Sequence, residues 1–276
     1  METLLNMLTF IPTPIGNPQD ITIRALKEFE KATLFLCEDT RETKRLLRIL
    51  EERFDLSYPD VEFLSFHEHN GERRLVEISQ RLEREHVVYV SDAGMPIISD
   101  PGQILVEYCQ QHNILYDVLP GASAVTTAYA SSGFVDGKFL FYGFLPHKGS
   151  ERTSELINVM NMTHSVVLYE APHRIEKLIE EIAHIDGSRE VFFAKELSKK
   201  FQNYYRRTAE KLLEEFPTIN AKGEWVVVIE GKIEEAKALY LDDILAFDLQ
   251  PKVKAKLLAK ITDKPVKLWY QELINR

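Results

Sequence analysis

The feature that most constrains this chain is a rhythm: short apolar runs alternate with stretches whose apolar residues recur every three or four positions. Leu8 to Pro12 has strand character, Ile21 to Ala32 is helical behind an Asp20 cap, and Thr33 to Cys37 returns to strand. Thr40 to Glu52 carries Leu46, Leu47 and Leu50 at helical spacing. Val61 to Phe66 is strand-like again, and Leu75, Ile78 and Leu82 mark the next helical stripe. His86 to Val90, "HVVYV", reads as a buried central strand. Leu105, Tyr108, Cys109 and His112 form a helix face, and Ile114 to Leu119 a fifth strand. Strands joined through helices run the same way, so these repeated units predict a mostly parallel sheet covered by helices.

Near "LPGASAV" the pattern restarts. A small-residue helix from Ala122 to Ser132 precedes a strand at "KFLFYGFLP", a helix after Ser150, a strand at "SVVLYEAP" and a helix begun by His173 and Arg174. The later strands "EVFFAKEL" and "EWVVVIEG" alternate less, and "NYYRR" between them suits an antiparallel hairpin partner, which predicts a mixed sheet. A chain of 276 residues exceeds one ordinary core. The expected division is an α/β domain at 1–120, a second α/β domain at 121–233 and a small helical module at 234–276. In that tail "KVKAKLLAKITDKPVKLWYQELI" gives two short helices with Asp263 and Pro265 at their junction, a helix-turn-helix-like outline. Val253, Leu257 and Leu258 would form the apolar face of one helix, and Val266, Tyr270 and Leu273 that of the other.

The net charge of −9 excludes a surface built throughout for nucleic acid, but not a local basic patch. Between Gln250 and Arg276 seven Lys and Arg face two Asp and Glu, a local +5 against −14 elsewhere. A solvated basic cap on terminal helices is the alternative use of that charge. Cys37 and Cys109 lie far apart and offer neither a metal pair nor a disulfide framework, so both are expected as reduced core thiols. Without a basic leader or an apolar run of about 18 residues, a cytoplasmic protein with no membrane segment is expected.

In an open α/β sheet the ligand belongs outside the carboxyl ends of the strands. The five loops that follow the five first-sheet strands are "PTPIGN", "EDTR", "HEHN", "SDAGMPIISDPG" and "LPGASA", and a single cleft explains their shared richness in Gly, Pro, Asp, Ser and His. The proline-dense first loop presents carbonyls in a shape that cannot relax, which suits a neutral or cationic ligand. Neither a G-x-G-x-x-G fingerprint nor a P-loop is present. Asp92 is placed to grip a ribose or an amino group, and at Gly94 a bare backbone lets a ligand close. Those features fit an adenosine-bearing cofactor without phosphates. Asp39 and Arg41 in "EDTR", His67 in "HEHN", Asp100 in "SDPG" and Glu196 in "KEL" are the candidates for moving a proton, and spacing singles out none of them. Asp39 could equally cap a helix. His67 and His69 form an H-x-H pair without a third ligand, so no metal is expected.

Together, "PTPIGNPQDITIRAL", "CEDTRETKRLL", "SDAGMPIISDPG", "LPGASA" and "YEAPHR" resemble the ribosomal RNA small subunit methyltransferase I family, among the tetrapyrrole-methylase-like S-adenosylmethionine enzymes. The likeness runs from about Leu8 to Gly231 and into the basic tail, which resembles the family's C-terminal helix-turn-helix module. It implies two α/β domains of the tetrapyrrole methylase type. It also implies methyl transfer from S-adenosylmethionine to the ribose 2′-oxygen of a cytidine in small-subunit ribosomal RNA, within the assembled subunit, by a homodimer. Carried over by motif, Pro14, Ile15 and Gly16, then Asp92, Ala93, Gly94 and Met95, then Ser123 and Ala124, and finally Tyr169, would contact the cofactor. The chain departs from the family pattern at Met95, where threonine is usual. It departs again at "KELSKKFQNYYRRT", where glutamates are usual near Gln202 and Asn203 and a glycine near Arg207. A tetrapyrrole C-methyltransferase, or a cofactor-binding protein without transfer activity, are the rival readings; the first would need no basic tail. On the RNA reading Lys252, Lys254, Lys256, Lys260, Lys264 and Lys267 are the anchor, and Trp269 and Tyr270 either stack on a base or sit in the core.

Overall fold

The structure is a computed structural model and describes residues 7–67, 69–99, 102–135, 137–232 and 240–275. Strands β1 (Met7–Phe10), β2 (Leu34–Cys37), β3 (Glu62–Ser65), β4 (His86–Val90) and β5 (Tyr116–Val118) form a wholly parallel sheet in the order β3-β2-β4-β1-β5. The crossovers are helices α1 (Ile23–Lys31), α2 (Thr40–Phe54), α3 (Gly71–Leu82) and α4 (Gln103–His112). Because successive side chains in a strand point to opposite faces, each central strand feeds two cores. Leu34, Leu36, Val87 and Tyr89 pack with Ile78 and Leu82 of α3 and Leu105 and Cys109 of α4, whereas Phe35, Cys37, Val88 and Val90 pack with Ala25 and Phe29 of α1 and Leu47 and Leu50 of α2. Both cysteines are free and buried.

Helix α1 starts two residues later than the sequence reading has it. Thr22, not Asp20, is the cap: its hydroxyl accepts from the Ala25 N–H at 3.0 Å, worth about 1 kcal/mol. Asp20 instead closes a one-turn 3-10 segment, Pro18–Asp20, and its carboxylate accepts from the Ser198 hydroxyl.

The second sheet is mixed. Strands β6 (Phe139–Phe144), β7 (Ser165–Glu170), β8 (Glu190–Lys195), β9 (Asn203–Thr208) and β10 (Trp225–Ile229) run in the order β6-β7-β10-β8-β9. Only β6 and β7 are parallel, and "NYYRR" is the body of β9, paired antiparallel with β8 along its whole length. One face packs on α6 (Gly149–Met160), α7 (Ile175–Ile185) and α8 (Ala209–Glu215). The other packs on α5 (Ala124–Ser132) through Val125 and Ala128, and that cluster also takes in Ile15 from the loop after β1. Both sheets therefore belong to one compact unit, Met1–Lys232.

Residues Ile233–Arg276 form the second unit, with three described helices, α9 (Leu241–Ala246), α10 (Pro251–Ile261) and α11 (Val266–Ile274). Its core is Ile244, Ala255, Leu258 and Trp269, with the Trp269 Nε1–H donating to Thr262 at 2.8 Å. This resolves the two uses of Trp269 in favour of the core, while Tyr270 is exposed. The helical phase also differs from the sequence reading, since Val253 and Val266 face solvent and Ala255 takes the inner position. No described helix is long and apolar enough to cross a membrane.

Candidate active site

The loops at the carboxyl edge of the first sheet are tied together mainly through backbone. Thr13, between Pro12 and Pro14, exchanges both of its main-chain groups with Gly94 at 3.0 Å each, and its hydroxyl donates to the Ser91 carbonyl. Gly94 has φ of +84°, and a Cβ there would stand 3.2 Å from the Ile15 side chain, so two constraints select glycine. Alongside, the Asp39 N–H donates to the Asp92 carboxylate at 3.1 Å while the Asp92 N–H points at the Glu38 carboxylate at 3.4 Å. The loops after β1, β4 and β2 thus make one framework.

Above that framework lies a cavity of about 450 Å³, within the range of small-molecule sites. Ile15, Asp92, Ala93, Gly94 and Met95 line it from the first sheet, Ser123 and Ala124 from the start of α5, and Tyr169 from the end of β7. An adjoining recess of about 480 Å³ shares Ile15, Asp92, Ala93 and Glu224 and adds Pro14, Gly16 and Lys199. All ten residues carried over by motif therefore line one or other of these two neighbouring hollows. The main cavity holds four carboxylates, Glu38, Asp92, Glu170 and Glu224, and no Lys, Arg or His among its described lining. Burial, reinforced by the Glu38 charge, pushes the Asp92 carboxyl above the usual aspartate value. Glu170 is buried and saturated: it lies 3.0 Å from Arg152 and 2.7 Å from Arg174, and accepts from the Ala171 N–H. Arg152, itself buried, also reaches Glu181 and donates to the Pro146 carbonyl.

The described proton-transfer candidates lie outside the main cavity's lining. Asp39 caps α2 and is clasped by the Arg41 side chain, whose hydrogen bonds hold its carboxyl down at about 2. His67, in the loop after β3, is held by Asn70, whose side chain accepts from the His67 N–H. Glu196 lies behind the cavity wall with φ of +52°; burial raises its carboxyl, but the Glu224 N–H and the Lys199 ammonium outweigh burial and hold it below its usual value. None of Asp39, Arg41, His67 or Glu196 lines the main cavity, and Asp100 lies outside the described residues.

Sequence reading missed Glu38 and Glu170, although both stand inside motifs quoted for their neighbours. It also missed Leu197, Glu224, Trp225 and Val226. Trp225 opens β10 but lies opposite Glu170, which ends β7, because the two strands are antiparallel. A rule that looks only after strands cannot find a residue that precedes one.

Two α/β layers, the first wholly parallel and the second mixed, with a cavity between their edges, define a protein of the tetrapyrrole methylase class; the family description Tetrapyrrole (Corrin/Porphyrin) Methylases matches residues 7–213. Solved structures share the fold. A cobalt precorrin-4 methyltransferase aligns at TM-score 0.58 and 17% identity over 82% of this chain and 95% of that one. A diphthine synthase aligns at TM-score 0.60 and 13% identity over 95% and 98%. A uroporphyrin-III C-methyltransferase from Thermus thermophilus, complexed with S-adenyl homocysteine, aligns at TM-score 0.55 and 16% identity over 81% and 97%. Among curated relatives, proteins named ribosomal RNA small subunit methyltransferase I are similar at 44% identity in Campylobacter fetus (98% of this chain, 100% of that one). The figure is 41% in Helicobacter pylori (98% of each) and 42% in Thermotoga maritima (83% and 100%). The chain belongs to the ribosomal RNA small subunit methyltransferase I family.

Proposed function

We propose that this protein transfers a methyl group from S-adenosylmethionine to the ribose 2′-oxygen of a cytidine in small-subunit ribosomal RNA. The observation that carries the cofactor reading is the charge of the cavity: Glu38 and Asp92, neither in an ion pair among the described residues, face a described lining without Lys, Arg or His, which suits a cationic adenosyl ligand and opposes a pyrophosphate. The relatives' names and the Thermus thermophilus complex support the same reading. Ile15, Ala93, Gly94, Met95, Ser123, Ala124 and Tyr169 would hold the cofactor, with Pro14 and Gly16 shaping the first loop. When bound it supplies a methyl group on a positively charged sulfur.

The work left to the protein is positioning and the removal of one proton. We assign the ribose proton to the Asp92 carboxylate, which lines both the cavity and the adjoining recess. Its carboxyl is more basic than usual, whereas Glu170 is saturated by two arginines and Glu224 is tied to Lys199 at 2.9 Å. The basic stretch 250–276, seven Lys and Arg against two Asp and Glu, supplies the RNA anchor, and the active species is a homodimer acting on the assembled subunit.

The test is transfer of labelled methyl to assembled small subunits, naked ribosomal RNA and a tetrapyrrole, followed by nucleoside digestion. Label in 2′-O-methylcytidine from the subunit arm is the expected result. Label only on a base or only on the tetrapyrrole would overturn the assignment.

A further inference from the structure

The stretch in which this chain departs from the family pattern has its own surface chemistry. From Leu197 to Thr208 there is no acidic residue, but there are four cations, Lys199, Lys200, Arg206 and Arg207, and three aromatics, Phe201, Tyr204 and Tyr205. These residues make the β8–β9 turn and the edge strand β9. Phe201 is 66% exposed with the Lys200 ammonium 5.5 Å over its ring, and Tyr204 is 45% exposed. Lys199 is held between Glu196 and Glu224, and Arg207 lies on Glu215. Lys200 has no carboxylate partner among the described residues.

The turn is braced by hydrogen bonds and sits beside the cavity. Ser198 adopts φ of +62° and its N–H donates to the Gln202 side chain at 2.6 Å, while the Gln202 N–H donates to the Lys199 carbonyl. The Ser198 hydroxyl accepts from the Asn17 N–H and donates to Asp20, which seats the turn on the loop after β1. Leu197 lines the main cavity and Lys199 the adjoining recess. A nucleotide whose ribose enters that cavity must leave its stack, which uncovers the faces of its neighbours, and in a single strand those neighbours are themselves free to be stacked on. An exposed ring beside a free cation matches one base face and one phosphate, the repeat of a single strand.

We propose that the β8–β9 turn is a stacking platform for an unpaired RNA nucleotide flanking the acceptor, with Phe201 covering the base and Lys200 meeting the adjoining phosphate. This rests on RNA being the substrate. The measurements are methyl transfer to ribosomal RNA by wild type, F201A, K200A and F201W, and binding of a short oligocytidylate followed by fluorescence anisotropy. F201A is expected to raise KM for RNA about tenfold, as base–aromatic stacking does, with kcat and S-adenosylmethionine affinity unchanged. K200A should flatten the salt dependence of binding. F201W should restore KM, and its emission should be quenched by the oligonucleotide. An unchanged KM in F201A with active wild type overturns the platform and leaves the function standing. Loss of the dimer in F201A by light scattering overturns it in favour of a second copy of the chain as occupant. Phe201-dependent oligonucleotide binding by a wild type that methylates no RNA would keep the platform and remove the function.

Discussion

At the scale of single residues, Asp92 and Gly16 carry the sharpest expectations. If Asp92 takes the ribose proton, D92N should lower kcat by about 10²- to 10⁴-fold while S-adenosylmethionine still binds by calorimetry. The sign of the pH dependence follows from the raised carboxyl: the base form is lost as pH falls, so kcat/KM should drop on the acid side, with its midpoint above the ordinary aspartate value of 3.8. A midpoint at or below that value would remove Asp92 from the role. Gly16 has a different problem, because a Cβ there would stand 2.7 Å from the Ser198 carbonyl carbon and 2.8 Å from the Leu197 oxygen. Backbone cannot swing aside as a lysine tip can, so G16A should shift the β8–β9 turn and cost about 1–3 kcal/mol in a denaturant titration. The first-sheet residues of the cavity were legible because each follows a parallel strand in a Gly, Pro or Asp loop. Asp39 was legible only as one of two things, and its clasp by Arg41 makes the cap visible.

Among the elements, α6 and β7 are joined by the buried pair Arg152 and Glu170, each about 1% exposed at the side chain. R152M takes one of two cations from the buried Glu170 carboxylate and leaves Arg174 as the other, so it should destabilise the fold by about 1–3 kcal/mol, measured by urea unfolding. The R152M/E170Q double variant should recover part of that loss, since the two changes share one interaction. The parallel sheet could be read from the chain because each of its strands declares itself by a βα rhythm. The place of β10 between β7 and β8 could not, since strand order in a mixed sheet depends on which apolar faces meet and not on any local pattern. The tail helices were found but rotated, because Ala255 and Val253 are two residues apart and an alanine gives a weaker apolar signal than the valine that faces water.

For the whole molecule, the cavity lies within the first unit and the excess of lysine within the second. Deleting 234–276 should therefore leave S-adenosylmethionine affinity nearly unchanged while weakening RNA binding and flattening its salt dependence, as lost phosphate contacts release fewer counterions. Equal salt slopes for full-length and truncated protein, both folded by circular dichroism, would reduce the tail to a helical cap. A different consequence follows from the way Thr13 and Gly94 hold each other. That clasp uses only main-chain atoms, so neither of its two hydrogen bonds is made by the side chain at position 95. Met95 follows Gly94 directly and lines the cavity, so a change of side chain there should alter what the cavity offers while both Thr13–Gly94 hydrogen bonds remain.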